Sequence, residues 1–497
     1  MTLNLKNPTL SGFHPDPSVV RVGEDYYLAT STFEYLPGIP VFHSRDLTTW
    51  TRIGHVADRP GQLTVAETPT GGGAWAPTIR FHEGTFWLAI TDALGRGTMV
   101  FSATDPAGPW SDGTVMEGVN GIDPDIAWDE DGTCYMTYSA LRLHGDELGQ
   151  HGGIEQVRID PWAGKALEEP RKLWSGTGLM FPEAPHLYQH DGRWYLMIAE
   201  GGTERGHGVS IARGPAPEGP FEGNPTNPIL SARSTDRPVQ NTGHGDLVQT
   251  PDGEWVMLLL GMRTRGMTRG FSPMGRETFS TRVTWVDGWP VAEPVHLTEP
   301  GSASFRDTFD APTLGGDWIG LRRLAGELAD LSSRPGHLVL TGAGADLGDS
   351  RAVFVGIRQA HHRSRFAAEV DASTGTGGIA VRYDELHHYD VELGGGVVTA
   401  RGCLSGIRQE WTAPAPAGPV TLWIETAPVE GVGFGQMGSD WIRLGFDGPD
   451  GRVQLAELDG RYLTAETTAS FTGRVVGLYA RDGLVAVDTV TYDGRDD

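Results

Sequence analysis

The sequence has little of several features, and each shortage excludes a class of protein. Only two cysteines occur among 497 residues, Cys134 and Cys403, too far apart for a metal-binding spacing, which excludes a disulfide scaffold or a cysteine-based zinc site. Lysine and arginine number 39 against 64 aspartates and glutamates, a net charge of −25, which would repel the phosphates of nucleic acid. No apolar run approaches the roughly 18 residues that span a membrane.

The start of the chain and its cysteines bear on its location. The segment "MTLNLKNPTLSG" has no basic region followed by an apolar one, so no signal peptide is expected. Two unpaired cysteines are typical of a reducing compartment. The sequence therefore predicts a cytoplasmic protein with neither nucleic acid nor membrane among its partners.

Turn formers and aromatic residues are plentiful. The chain has 70 glycines, 33 prolines and 15 tryptophans, a composition that indicates many short strands. Five segments share one pattern of an entry residue, an apolar strand, a turn and an aromatic-led apolar strand. They are "DPSVVRVGEDYYLAT", "WAPTIRFHEGTFWLAI", "DPDIAWDEDGTCYMTY", "EAPHLYQHDGRWYLMIAE" and "HGDLVQTPDGEWVMLLL". Each segment is predicted to be a β-hairpin.

More strand-like sequence follows each of these hairpins. Each unit then carries about two hairpins, which is what a four-stranded propeller blade needs. No helical period of comparable strength is present. The first 300 residues are therefore predicted to form a five-bladed β-propeller.

The entry positions of the five hairpins differ in residue type, although structural positions in a repeat should be alike. They are occupied by Asp16, Trp75, Asp123, Glu183 and His244. Because the first strand of each blade lines the central channel, all five side chains are expected to face one axis. Asp16 stands between two prolines, and taken alone such a position favours a turn.

Three carboxylates, a tryptophan and a histidine around one channel suit glycoside hydrolysis. One carboxyl must protonate the leaving oxygen, a second must be ionised, and a third raises the pKa of the acid. Trp75 offers a flat face to a sugar ring. Simpler alternatives are core packing for Trp75, a hydrogen-bonded channel histidine for His244 and a turn for Asp123. Strand alternation puts Asp125 on the same face as Asp123, so Asp125 is a rival acid.

The motifs that carry this chemistry resemble glycoside hydrolase family 43, and specifically its β-xylosidase-type members. The matching stretches include "FHPDPS", "STFEY", "GGAWAPTIRF", "GIDPDIAWDEDG", "FPEAPHLYQHDGRWYLMIAEGGT" and "GRETF". The order Asp, Asp, Glu along a five-bladed propeller is also the family's pattern. The resemblance covers residues 5 to 295.

This resemblance implies an inverting mechanism without a cofactor. Asp16 would be the general base, Glu183 the general acid, and Asp123 the group that tunes and orients the acid. In an inverting enzyme the acid and the base lie roughly 6.5–9.5 Å apart, which leaves room for a water. Phe33 and Trp75 would form apolar walls. The resemblance further implies that Arg276 hydrogen-bonds sugar hydroxyls, with a plain salt bridge as the alternative.

Three points stay open within the resemblance. His244 would lie on the axis below the sugar, and in some relatives such a histidine supports a structural calcium, although one histidine cannot build an oxygen-rich calcium site. The family often has glycine where this chain has Ala184, and serine where it has Asp125. Asp125 would either add a fourth carboxylate to the site or point to solvent.

The pattern changes after residues 290–310, which are predicted to be a linker. Short alternating strands then recur with frequent turns, which indicates a β-sandwich of the jelly-roll or concanavalin-like kind. The predicted domains are 1–298 and 299–497. "FVGIRQ", "HHYDVEL" and "FTGRVVGLYA" resemble the C-terminal domain of β-xylosidase-type propellers. There an aromatic residue closes one side of the pocket, and Phe471 is the candidate, with core packing as the alternative.

The sequence predicts an exo-acting β-xylosidase that removes xylose from the non-reducing ends of short β-1,4-xylo-oligosaccharides. The alternatives are an α-L-arabinofuranosidase, an enzyme with both activities, a sugar-binding propeller without catalysis, and a metal-dependent hydrolase centred on His244, Asp16 and Asp123. The exposed edges of two β domains favour a homodimer or homotetramer.

Overall fold

The computed structural model describes residues 3–266, 270–298, 301–429, 437–468 and 470–496. Within these ranges almost all regular structure is β-strand. The exceptions are one short α-helix, Ala325–Leu328, and the 3-10 turns Val65–Glu67 and Gly460–Tyr462. No helix of the described ranges has the length and apolar character needed to cross a membrane. The prediction of an all-β protein is confirmed.

Of the first 23 strands, all but β3 build five antiparallel sheets, each with its first strand innermost. Blade one contains β1 (Ser18–Val22), β2 (Asp25–Ala29), β4 (Gly38–Ser44) and β5 (Thr51–Ala57), and β3 (Tyr35–Leu36) leaves it. Blade two contains β6 (Gly73–His82), β7 (Thr85–Ala93), β8 (Gly97–Ala103) and β9 (Thr114–Val115). Blade three contains β10 (Ile122–Trp128), β11 (Cys134–Leu141), β12 (His151–Asp160), β13 (Lys165–Ala166) and β14 (Arg171–Trp174). Blade four contains β15 (Glu183–His190), β16 (Arg193–Glu200), β17 (Gly208–Gly214), β18 (Glu222–Gly223) and β19 (Leu230–Ser231). Blade five contains β20 (Val239–Gln249), β21 (Trp255–Arg263), β22 (Glu277–Val286) and β23 (Trp289–Ala292).

The five innermost strands touch one another in ring order, from β1 through β6, β10 and β15 to β20 and back to β1. The N-terminal segment fastens the ring to blade five. Leu10 forms an antiparallel bridge to Thr278, and the Asn7 side-chain amide donates to the Ser280 carbonyl at 2.8 Å. The predicted five-bladed propeller is confirmed, and its equivalent residues are brought to one end of one axis.

The remaining strands form the predicted β-sandwich, which is also confirmed. They are β24 (Ser302–Asp307), β25 (Ile319–Leu321), β26 (Ala329–Asp330), β27 (Leu338–Ala343), β28 (Val353–Arg358), β29 (Arg363–Arg382), β30 (His387–Gly394), β31 (Val397–Leu404), β32 (Ile407–Pro414), β33 (Val420–Pro428), β34 (Asp440–Gly448), β35 (Gly451–Asp459) and β36 (Val475–Arg495). The long strands β29 and β36 pair along their whole length. Buried Val, Leu, Ile and aromatic side chains from these strands form its core.

The junction between the domains matters for the site. The last propeller strand ends at Ala292 and β24 begins at Ser302, so the predicted boundary between residues 298 and 299 falls between them. The propeller strand β3 pairs with β25 of the sandwich. This pairing holds the sandwich against the loop that follows β2, which contains Phe33.

Candidate active site

A pocket of about 260 Å³ opens at the end of the propeller axis where the five inner strands begin. It brings together all eight residues that the sequence singled out: Asp16, Phe33, Trp75, Asp123, Glu183, His244, Arg276 and Phe471. Binding pockets for larger ligands are commonly about 300–1,000 Å³. The pocket therefore suits a single small sugar residue better than the middle of a polymer chain.

The local backbone explains why these side chains face the pocket. In blades two to five the first strand breaks its pairing register beside the pocket residue, as between Trp75 and Thr78. Asp16, Asp123 and His244 themselves have left-handed φ angles of 55°, 53° and 48°. Bulges and such angles re-aim side chains at functional sites. Ala184 has the same conformation, with φ 48°, which glycine adopts more readily than alanine.

Hydrogen-bond donors contact both carboxylate oxygens of Asp16. Its Oδ2 accepts from Ser31 Oγ at 2.6 Å, and its Oδ1 accepts from Arg276 Nη1 at 2.9 Å. The imidazole Nδ1 of His244 lies 3.6 Å from the same Oδ1. Ser31 Oγ in turn accepts from the backbone N–H of Ala76 at 2.7 Å. An ionised carboxylate only accepts hydrogen bonds, so this arrangement suits a charged Asp16.

Glu183 and Asp123 have a different environment. Burial raises the pKa of Glu183 well above its ordinary value, and the nearby charge of Asp123 raises it further. Burial and the charge of Asp16 also raise the pKa of Asp123. However, Asp123 Oδ2 accepts the backbone N–H of Ala184 at 3.0 Å, a contact that favours its charged form. Asp123 thus contacts the residue next to Glu183, and the charge of each carboxyl favours the protonated form of its neighbour.

Aromatic rings from both domains form the walls. The Phe471 ring stacks on Phe33 with 6.1 Å between centroids and meets Trp75 edge-on at 5.6 Å. The guanidinium of Arg276 lies 5.5 Å from the Phe33 ring and 5.4 Å from the Phe471 ring. Phe471 keeps 39% of its surface exposed, so the alternative of a core phenylalanine is wrong.

Replacing Phe471 with alanine should weaken binding in the pocket without unfolding the protein. The ring lies at the rim of the pocket and would contribute apolar contact to a bound sugar, which is worth about 1.5–3 kcal/mol for a buried phenyl group. We expect kcat/KM to fall about 10- to 100-fold, mostly through KM, and Phe471→Tyr to lose far less. Steady-state kinetics on an aryl glycoside check this, and an unchanged KM in the alanine variant would contradict a wall role.

Asp125 does not line the pocket and is buried. It is therefore neither a fourth carboxylate of the site nor a side chain that points to solvent. The register shift between Ile122 and Asp125 breaks the strict alternation, so Asp125 does not share the face of Asp123. It is fully buried and pairs with Arg80 at 2.8 Å. Arg80 also pairs with Asp246 at 2.8 Å and contacts His186 Nδ1 at 2.9 Å. The guanidinium of Arg80 thus ties blades two, three, four and five together beneath the pocket.

Sequence reasoning missed several residues at the site. Leu141, Phe181, Thr203 and Glu204 also line the pocket, and Arg276 Nη1 is 3.3 Å from Thr203 Oγ1. Two of them belong to the "EGGTERGHG" segment that follows β16. Its glycines and polar residues between two strands are the only signal that could have pointed to a functional loop.

Comparison with known proteins agrees with this geometry. The sequence profile of Glycosyl hydrolases family 43 matches residues 5–290. The profile of the Beta xylosidase C-terminal Concanavalin A-like domain matches residues 306–492. The matches begin and end close to the propeller and the sandwich, respectively.

Individual relatives cover most of the chain. A non-reducing end α-L-arabinofuranosidase of Bacteroides ovatus is 40% identical over 78% of this chain and 75% of its own length. A β-xylosidase of Bacillus subtilis is 34% identical over 68% of this chain and 69% of its own. The crystal structure of a xylan β-1,4-xylosidase of Bacillus halodurans superposes with a TM-score of 0.87 at 28% identity, covering 98% of this chain and 100% of the other.

Proposed function

The chain belongs to glycosyl hydrolase family 43, and on that premise we propose that it releases xylose from the non-reducing ends of short β-1,4-xylo-oligosaccharides. It is a glycoside hydrolase, and the family typically inverts the anomeric configuration. The pairing of two differently held carboxyls, Asp16 and Glu183, in one small pocket carries this proposal. Relatives named as xylosidases and as arabinofuranosidases are both consistent with an exo-acting pentosidase.

The proposed mechanism divides the work between the two carboxyls. Glu183 donates its proton to the glycosidic oxygen as the bond from that oxygen to the anomeric carbon breaks. A water attacks the anomeric carbon from the opposite side, and Asp16 takes a proton from that water. The products are xylose of inverted configuration and the shortened oligosaccharide. Proton exchange with solvent then restores protonated Glu183 and ionised Asp16.

The supporting residues keep these two protonation states apart. Arg276 pairs with Asp16, and Asp123 holds the backbone beside Glu183. Arg276 also has its second nitrogen near the Phe471 carbonyl, at 3.4 Å. We therefore propose that Arg276 both holds the base and lies close to the sugar hydroxyls. This combines the two roles that the sequence left as alternatives.

The second domain supports an exo mode of action. Phe471 reaches from the sandwich across the propeller pocket to Phe33 and Trp75. A polymer that ran across the propeller would meet this ring. We propose that a single terminal residue binds beside it, with the leaving oligosaccharide directed outward past Glu183 and Phe181, which also line the pocket.

The second candidate is an α-L-arabinofuranosidase, because an arabinofuranosidase is 40% identical to the chain. The two sugars present similar hydroxyl geometry, so one pocket could serve both. Release rates from aryl β-xyloside and aryl α-arabinofuranoside distinguish these candidates. A large excess on the arabinofuranoside would overturn the xylosidase proposal, and comparable rates would indicate an enzyme with both activities.

The first product should be α-xylose when xylobiose is the substrate. Inversion at a β-linked anomeric carbon places the new hydroxyl on the opposite face, and Asp16 is the base for that attack. ¹H NMR within the first minutes of hydrolysis, before mutarotation, reads the anomer directly. Initial release of β-xylose would mean retention and would require a covalent nucleophile.

The surroundings of His244 do not fit a calcium ion. Calcium takes six to eight oxygen ligands, whereas His244 offers nitrogen and its nearest carboxylate, Asp16, already accepts from Ser31 and Arg276. Beneath the pocket, Arg80 already supplies a positive charge between Asp125 and Asp246. No group of three or more candidate ligands occurs among the described residues. The two carboxyls supply the proton transfers of the hydrolysis, so the chemistry needs no cofactor.

Free cysteines and exposed apolar side chains bear on location and assembly. Cys134 and Cys403 are both buried and free, which supports our proposal that the enzyme works in the cytoplasm on imported oligosaccharides.

We also propose a homodimer or homotetramer, because exposed apolar side chains such as Ile407 and Leu386 lie near strand ends of the sandwich. Light scattering after size exclusion would measure the assembly, and a monomer would refute it.

A further inference from the structure

A buried histidine behind the acid has no place in the mechanism so far. His207 lies between Gly206 and Gly208, just before β17, and its side chain is fully buried. It does not line the pocket. Its Nε2 is nevertheless 4.0 Å from Glu183 Oε1, which makes it a direct neighbour of the carboxyl that must deliver a proton.

The hydrogen bond on the other ring nitrogen determines the tautomer of His207. Nδ1 lies 3.0 Å from the Asn241 carbonyl oxygen, and a carbonyl can only accept. Nδ1 must therefore carry the proton. Burial lowers the pKa of His207 to about 4, so the ring is neutral at ordinary pH. In a neutral ring protonated at Nδ1, Nε2 is a bare acceptor, and it has no hydrogen-bond partner among the described residues.

The ring is held in this orientation by its surroundings. A Cβ atom at Gly243 would lie 2.4–2.5 Å from three atoms of the imidazole, so the ring rests against the bare backbone there. The backbone N–H of His207 donates to the Glu204 carbonyl at 3.1 Å, and Ser231 Oγ donates to the His207 carbonyl at 2.8 Å. The fold therefore holds the unpaired acceptor Nε2 of His207 in a fixed position beside Glu183.

We propose that His207 is a positioning residue for the general acid, and that its Nε2 accepts the O–H of protonated Glu183 until the glycosidic oxygen takes the proton. A neutral acceptor stabilises the carboxylic acid and disfavours the carboxylate. The carboxyl must move roughly 1 Å toward the ring to make a normal hydrogen bond, and catalytic contacts are often long without substrate. The inference rests on the proposed role of Glu183.

Other charged groups also act on this pair, and any pH effect must be read against them. Glu183 is faced by the carboxyls of Asp123, Asp16 and Glu204 and by the guanidinium of Arg276. His207 is faced by two of the same groups, Arg276 and Asp16. These groups stay in place when His207 is replaced, so a change in the pH profile reports the lost acceptor.

Two substitutions separate the acceptor from the shape of the ring. In His207→Asn the introduced amide can donate to the Asn241 carbonyl but is too short to reach Glu183. His207→Gln is longer and can offer its oxygen at the position of Nε2. We expect kcat/KM on xylobiose to fall about 10- to 100-fold in His207→Asn and clearly less in His207→Gln. The alkaline limb of the pH profile should move to lower pH by roughly one unit in the asparagine variant.

The leaving group supplies the readout that a structural role would not move. Hydrolysis of 2,4-dinitrophenyl β-xyloside needs no proton from the acid, so His207→Asn should keep its rate on this substrate within about threefold. Gly243→Ala pushes the ring aside without changing His207 and should show the same selectivity. Melting temperatures show whether each variant folds. Either His207→Asn or Gly243→Ala, if folded, is sufficient to test the inference. An equal loss on both substrates, or no loss on xylobiose, overturns the inference.

The proposed function and this inference fail in different ways. If Glu183→Gln kept wild-type activity on xylobiose, the assignment of the acid would fall and His207 with it. If Glu183→Gln lost that activity while His207→Asn kept it, only the role of His207 would fall.

Discussion

Replacing Asp16 with asparagine should lower kcat on xylobiose by about 10³- to 10⁴-fold. Asparagine has the same shape and can still contact Ser31 and Arg276, but its amide is not a base. The attacking water then keeps its proton, and the loss should be similar for good and poor leaving groups because the base acts on the water. A pre-steady-state or long-incubation assay measures the loss for the poor leaving group with xylobiose and for the good leaving group with 2,4-dinitrophenyl β-xyloside.

A small nucleophile provides the control for Asp16. In Asp16→Ala the space left by the carboxylate can admit azide, which needs no base. Azide should therefore restore turnover of 2,4-dinitrophenyl β-xyloside and form α-xylosyl azide, which NMR identifies. Wild-type turnover of the asparagine variant would disprove the base role, and a β-xylosyl azide would show that attack comes from the other face.

The five pocket residues at the strand entries could be predicted because the repeat makes them equivalent. Five segments with the same pattern must place their first residues around one axis, so Asp16, Trp75, Asp123, Glu183 and His244 are placed together without any knowledge of distances. Phe471 was different, because only a resemblance connected the second domain with the pocket. No periodicity within the sandwich distinguishes a rim phenylalanine from a core one.

The roles of three further residues could not be predicted from the sequence, and each failure has a physical reason. Strand alternation put Asp125 with Asp123, but a bulge between Ile122 and Asp125 changes the face, and single-residue bulges leave no clear trace in sequence. Arg80 meets Asp246 from 166 positions away. His207 belongs to no repeat-equivalent position, and its meaning depends on a carbonyl and a carboxyl from two other segments of the chain.

Replacing Glu183 with glutamine should produce a loss that depends on the leaving group. Glutamine cannot donate an acidic proton, so kcat/KM on xylobiose should fall about 10³- to 10⁴-fold. The loss on 2,4-dinitrophenyl β-xyloside should stay below about 10-fold, because that leaving group departs as a stable anion. Glu204→Gln is the matched control. It removes another carboxylate of the pocket lining and should cost less than about 10-fold on either substrate.

The pH profile tests the same role independently. Burial, followed by the charge of Asp123, raises the pKa of Glu183, so the protonated, active form persists to higher pH than an ordinary glutamate would allow. In the wild type, kcat/KM on xylobiose should therefore fall only as pH rises through that elevated pKa. Hydrolysis of 2,4-dinitrophenyl β-xyloside needs no proton from the acid, so its kcat/KM should lack this alkaline limb both in the wild type and in Glu183→Gln. If this substrate showed the same limb as xylobiose, the titrating group would be one other than the acid, and Asp123 would be the first to examine.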